Sequence, residues 1–420
     1  MSPPVLRTLL AGAALLAAAA AAAAAEDSCI QCHRGQEGKG GEAVRLAGKD
    51  IHFRRGMACI SCHGGDGVAA EKEKAHDPAK GYRGAPKGTA VLDTCGRCHS
   101  DPAYMKDFNP AIRTDQVALY RESHHGKKLL AGDGAVATCV SCHGNHGILP
   151  ADDALSPVYR ANVPATCGKC HGDPKVMEGR KTKADVLEKY RGSVHGKALL
   201  ERGDLAAPAC NSCHGNHGAT PLEIASVANV CGTCHVQQAN HFRESLHKPV
   251  FDQNDLAECV FCHSNHDIRP PGDEMLGAGP KSVCVQCHED EDDEGRRAAV
   301  RLQGAFAGLE GKIRTAHAVL GKAERAGMEV SDALFALSEA EDRLTEARVV
   351  LHSFKPAVAL AKVGEGEAVA VAARGKGEEA LAEIQYRRTG LWFSLVAIAM
   401  LALGLWLKIR EVDRRLEKAA

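Results

Sequence analysis

Eighteen cysteines fall in nine pairs of one spacing, and a histidine follows the second member of every pair. The motif is Cys-x-x-Cys-His, at Cys29/Cys32/His33, Cys59/Cys62/His63, Cys95/Cys98/His99, Cys139/Cys142/His143, Cys167/Cys170/His171, Cys210/Cys213/His214, Cys231/Cys234/His235, Cys259/Cys262/His263 and Cys284/Cys287/His288. No cysteine stands outside it. Aromatic residues are only 4% of the chain, so side chains alone are a poor source of interior for a region that spaces its motifs this densely.

An even cysteine count in an exported chain would ordinarily point to disulfides. A disulfide framework has no use for the histidine, and a zinc ribbon, which also uses Cys-x-x-Cys, does not need it at the next position. The combination is the attachment signature of c-type haem: two thiols add to the vinyl groups of one porphyrin edge, and the adjacent histidine reaches the iron from one face. Nine covalent haem c groups are expected, with His33, His63, His99, His143, His171, His214, His235, His263 and His288 as proximal ligands. On these motifs, from Cys29 to His288, the chain resembles the multihaem c-type cytochromes with paired Cys-x-x-Cys-His motifs. The resemblance implies haems in stacked or T-shaped pairs, close enough for electrons to hop along the array.

Internal repetition points to the second axial ligands. Ser123-His124-His125-Gly126-Lys127-Lys128-Leu129-Leu130 aligns with Ser193-Val194-His195-Gly196-Lys197-Ala198-Leu199-Leu200. Each is followed by Cys-x-Ser-Cys-His-Gly-Asn-His-Gly and then by Cys-Gly-x-Cys-His. A degraded copy runs from Ser245 through His247 and His266 to Cys284, and a weaker one begins at His52. His146, His217 and His266 each lie three positions beyond a proximal histidine. Three residues reach at most ~10 Å, too little to round the porphyrin rim, so each is expected to serve a neighbouring haem. His52, His125, His195 and His247 form the second recurrent set. With His76 and His241, nine candidate distal ligands face nine irons; His124 is the spare. No methionine recurs with the repeat, and bis-histidine ligation predicts low potentials.

The expected fold is mainly α with much coil, short helices and loops wrapping nine haems, followed by an antiparallel helical hairpin and one transmembrane helix. Glycine- and proline-rich connectors such as 81–88 and 270–280 fit the coil-rich part. After His288 the composition changes. Residues 289–294 are all acidic, a solvated linker at a helix start. Leu302, Phe306, Leu309, Ile313, Ala316, Leu320 and Ala323 then form a heptad seam. Ala326-Gly327 ends it, Ser331 or Asp332 can cap a second helix with Leu334, Leu337, Leu344, Leu351 and Phe354 inward, and Pro356 stops that helix. An alanine- and glutamate-rich helix then runs towards the membrane. His317 and His352 read as helix-surface histidines.

Arg7 precedes an alanine-rich run at 9–25 ending in Ala23-Ala24-Ala25, a secretory signal with an A-x-A cleavage site. Residues 391–407 are uncharged and apolar, with Trp392 and Trp406 at the edges and Arg387, Arg388, Lys408 and Arg410 outside. At ~1.5 Å per residue they can just span a ~30 Å hydrocarbon core. The domain plan is therefore signal peptide 1–25, nonahaem cytochrome c domain 26–288, linker and hairpin 289–388, transmembrane helix 389–408 and cytoplasmic tail 409–420. The haem domain is expected on the periplasmic side of a bacterial cytoplasmic membrane.

A formal net charge of −1 excludes a strongly basic nucleic-acid binder. The function expected is electron transfer along mostly bis-histidine haems, between a quinol-linked membrane donor and a periplasmic or extracellular acceptor. Redox proteins, a quinol-oxidising subunit among them, are the expected partners, and the hairpin offers a docking surface. No catalytic residue is assigned. The alternatives are a quinol dehydrogenase subunit or an oxidoreductase of nitrite, hydroxylamine or sulfur-oxyanion type with one open haem. Those that replace the proximal histidine by lysine would show Cys-x-x-Cys-Lys, which is absent.

Overall fold

The computed structural model describes residues 27–218 and 227–418; the export signal read at 1–25 lies outside them. Among the described residues the regular structure is helical, without strands, as the motif spacing and connectors predict. Contacts divide the chain into two units: one runs to Val230 and includes Ser264–Pro270, and the other comprises Cys231–His263 and Pro271 onward. The last three motifs thus group with the long helices, whereas the sequence plan drew its boundary at 288.

In the first unit the helices are short, 4 to 11 residues, for instance Ile51–Arg54 and Thr89–His99. The repeat explains how they are joined. Helix Gln116–Glu122 meets His124–Leu130 at Ser123, whose hydroxyl donates to Tyr120 O (2.7 Å) and accepts from Gly126 N–H (3.0 Å). Helix Val186–Gly192 meets Val194–Leu200 at Ser193 in the same way, at 2.6 and 3.0 Å. One serine closes one helix and caps the next, satisfying polar groups at both ends. Glycine is required after the histidine because a Cβ on Gly126 or Gly196 would sit 1.8 or 1.9 Å from the tyrosine carbonyl oxygen. The tyrosine then reaches forward: Tyr120 OH donates to Ala137 O (2.6 Å) and Tyr190 OH to Pro208 O (2.9 Å), just ahead of the next motif. The protein's own apolar clusters here are small, Leu92–Tyr120–Leu129 in one place and Val163, Tyr190, Ala198, Leu199, Ala207 and Ala209 in another.

In the second unit three long helices, Glu294–Arg325, Ser331–Val350 and Pro356–Glu417, share one continuous core. Asp293, the fifth of the six acids, caps the first by accepting from Arg296 N–H (3.0 Å). All seven seam residues from Leu302 to Ala323 are buried, as their heptad spacing requires. Leu337 and Leu344 are buried on the second helix. Its start is held by Glu329, which accepts from Ser331 N–H (3.0 Å), in place of a Ser331 or Asp332 cap.

The expected hairpin is a three-helix bundle. Pro356 ends nothing further on; it occupies the first turn of the third helix, where its missing N–H costs little. That helix carries small residues at heptad spacing, with Ala359, Val363, Gly366, Ala370, Ala373 and Gly377 buried. A Cβ on Gly366 would lie 2.9 Å from Leu309 Cδ2, and one on Gly377 2.9 Å from Val319 Cγ1, so the stripe sets how closely the third helix approaches. The same helix continues through the apolar run, where Trp392 is 72% and Trp406 48% exposed. It is long and apolar enough to cross a membrane, and its apolar window buries nothing against the protein. Arg410 covers the Trp406 ring at 4.5 Å.

Candidate functional site

The second, fourth and sixth motifs share one local design. Cys59–His63, Cys139–His143 and Cys210–His214 are single helical turns whose entry N–H groups, on Ala58, Thr138 and Ala209, donate to the motif serines Ser61, Ser141 and Ser212 at 3.0–3.1 Å. Gly64, Gly144 and Gly215 close them with positive φ, a geometry glycine adopts freely. In the eighth motif Ser264 takes that position at φ 64°. A helical turn brings residues i and i+3 to one face, so both thiols present to one edge with the histidine beside them.

Each of eight motif histidines has a second imidazole opposite it. In the first unit the ring centroids of His33–His76, His52–His99, His63–His146, His125–His171, His143–His217 and His214–His266 lie 5.8–6.1 Å apart. In the second, His247–His288 and His263–His352 are at 6.1 and 6.2 Å. Direct ring stacking would be closer. A metal between two imidazoles takes about 2 Å for each nitrogen bond and about 1 Å from each nitrogen to its ring centre, about 6 Å in all. The spacing would admit one iron between each pair of rings.

The two histidine sets are used differently. His146, His217 and His266 each face the proximal histidine two motifs earlier, with interplanar angles of 21°, 4° and 16°. His52, His125 and His247 each face the proximal histidine of the odd-numbered motif that follows, at 86°, 54° and 66°. Near-parallel rings thus mark even motifs and crossed rings odd ones, including His33–His76 at 69°. Backbone latches hold this register. Ile51 N–H donates to Ile148 O (2.8 Å) and Val194 N–H to Ile268 O (2.9 Å), in each case tying the residue before one candidate ligand histidine to the residue two beyond another.

Five of these rings have their Nδ1 engaged: His63 with Gly84 O (2.7 Å), His76 with Lys72 O (2.8 Å), His352 with Val349 O (3.0 Å), His52 with Asp50 Oδ1 (3.0 Å) and His288 with Asp293 Oδ1 (2.7 Å). An Nδ1–H that donates leaves Nε2 as the metal-facing acceptor. Burial pushes His143, His217, His263 and His352 below the ordinary imidazole value, which keeps them neutral as a ligand must be.

The thiols give an order to the motifs. Cys29 and Cys59, Cys95 and Cys139, Cys167 and Cys210, and Cys231 and Cys259 lie close enough to shift one another's titration. Cys95 is pushed up by that contact and its partner Cys139 drops to about 7. Cys62 feels Cys98, Cys142 feels Cys167 and Cys170, and Cys262 feels Cys284 and Cys287. Attachment edges of successive motifs therefore adjoin from the first to the sixth within one unit and from the seventh to the ninth within the other. Asp27 accepts from Cys29 N–H (2.9 Å) and lies against the Cys29 and Cys59 thiols. Every cysteine is free of disulfides.

The second thiols of the motifs range from half-buried to exposed, with Cys32, Cys62, Cys234 and Cys287 exposed. Cys32, near the end of helix Ser28–His33, is exposed. Cys234 is exposed too; it follows the 3-10 turn Val227–Thr233 and accepts from the Thr233 hydroxyl at 3.9 Å. Cys213 is half-buried inside the turn Cys210–His214, near enough to Tyr190 to help raise its phenol, and it also acts on Cys210 of its own motif. The assignment of these cysteines as attachment thiols rests on the motif spacing.

One histidine expectation needs correction as well. His352, taken as a helix-surface residue, sits in the short turn Leu351–Ser353 and faces His263. His241, proposed as a ligand, lies on helix Val236–Arg243, near enough to His352 to lower its pKa; among the described residues no ring contact sets it opposite a motif histidine. His195 holds on its helix the place His125 holds on its own, and His235 ends the seventh motif. His317 is on the surface beside Glu341 (2.8 Å), as expected. The second, fourth and sixth motifs each face a histidine that follows the next even motif, and the eighth has no successor.

The profile of a protein family described as "Doubled CXXCH motif" matches residues 131–176 and 247–293. These contain the fourth and fifth and the eighth and ninth motifs. Searches of curated proteins and of solved structures found no significant match to the chain. Paired motifs of this kind are the attachment pattern of covalent haem c.

Proposed function

We propose that the chain is an electron carrier with nine covalently attached haems, linking a quinol-dependent donor in the membrane to a periplasmic or extracellular acceptor. The observation that carries this reading is the set of eight facing imidazole pairs at 5.8–6.2 Å. Haem iron, once bound, supplies reversible one-electron chemistry. The chain's residues supply the rest. At eight motifs the paired imidazoles would hold a haem iron from both sides and leave no position there for a substrate, which favours a carrier over a reductase. Buried neutral rings and their Nδ1 acceptors fix ligand orientation, so little has to rearrange when charge passes.

Covalent haem attachment is chemistry of the exported side, and the basic residues from Lys408 onward favour a cytoplasmic tail. Both support an outer-face location on a bacterial cytoplasmic membrane, held by the helix through 391–407. Redox proteins are the partners proposed, with the bundle surface available for docking them. Haem quantification against protein mass, followed by redox titration, tests the reading. Nine haems per chain, mostly below the hydrogen-electrode zero, is the expected result; fewer haems, or turnover of nitrite or hydroxylamine, contradicts it.

A further inference from the structure

We propose that His352 is the second axial ligand of the haem attached at Cys259 and Cys262, so that the helical bundle completes the eighth haem site. This rests on the haem-binding reading above and assigns a residue that lies outside every repeat. His352 faces His263 at 6.2 Å with 25° between the rings, the near-parallel geometry of the other even motifs. Its Nδ1 is committed to Val349 O at 3.0 Å, which leaves Nε2 for the iron.

The turn that presents it is built, not incidental. Phe354 adopts a left-handed conformation (φ 52°) that phenylalanine seldom takes, and its ring lies 3.8 Å, centroid to centroid, from His247, the partner of His288. Within three residues the chain thus touches ligands of both the eighth and ninth motifs. Arg348, one turn earlier, grips Asp273 with two nitrogens at 3.1 and 2.8 Å. Gln303, on the first bundle helix, donates to Asp273 O at 3.0 Å. The segment between the last two motifs is therefore fastened to two bundle helices. Pro356 then starts the helix that continues into the apolar span. The bundle is accordingly part of the cofactor site as well as a connection to the membrane.

The test uses the full-length holoprotein. His352→Ala should convert one haem in nine from low-spin to high-spin in electron paramagnetic resonance, with added imidazole restoring the low-spin signal. His352→Met should remain low-spin while one haem titrates at a higher potential, since thioether ligation raises it. His241→Ala should leave both spectrum and titration unchanged. Wild-type haem content with an unaltered spectrum in His352→Ala, or a high-spin haem appearing in His241→Ala, overturns the assignment alone. Wild-type protein that carries no covalent haem overturns the broader reading and this one with it.

Discussion

The two units solve the problem of an interior in opposite ways. The bundle fills its own centre: Phe306, Leu309, Leu320 and Leu337 are fully buried in one continuous apolar cluster. The first unit has only small apolar clusters, such as Leu92 with Tyr120 and Leu129, and its cysteines are half-buried or exposed. Side chains stabilise the one. The other is arranged around groups that side chains hold but do not replace, so its stability and its cofactor content should be inseparable, as for other proteins whose ligand sites are not preformed in the unfolded chain.

Preventing haem attachment should break the comparison most strongly. In apoprotein made without haem ligation, limited proteolysis is expected to cut throughout 27–218 while sparing 294–385; equal protection of both regions would remove the distinction. Within the bundle, Phe306→Ala should cost about 3–5 kcal/mol, read as a lowered midpoint for the helical transition with haem content unchanged. In the first unit Gly196→Ala places a Cβ against Tyr190 O and should cost about 1–3 kcal/mol. Its signature is altered absorption of bound haem, because the turn it strains carries His195. The smallest effect lies on the bundle surface. Glu346 is held below its ordinary value by Arg343 first and Lys362 next. A carboxylate depressed in the folded state stabilises above its unfolded value, about 4.3, and that contribution is lost as pH falls through the lower folded value. Glu346→Gln should therefore flatten the acid limb of bundle stability slightly, and less so in high salt.

What the sequence made legible follows the same division. The cysteine spacing carries the proposed attachment sites, and the Ser-x-His and Cys-His-x-x-His repeats pointed to most of the facing imidazoles, because each is a local pattern with its own capping serine or glycine. The heptad seam from Leu302 to Ala323 likewise required a buried helix face. Two features were not local. The third bundle helix was read as a stalk because alanine and glycine give a weak apolar signal, although Gly366 and Gly377 pack closely on Leu309 and Val319. His352 escaped because its role depends on the chain returning to His263 after a long helical excursion, which no periodicity encodes.

Low-temperature electron paramagnetic resonance of the oxidised full-length protein tests the central claim most directly, that paired histidines hold the irons. The expected spectrum is low-spin ferric haem in two families, one from the near-parallel rings at even motifs (4–25°) and one from the crossed rings at odd motifs (54–86°). A spectrum dominated by high-spin haem, or a single low-spin family, would contradict it.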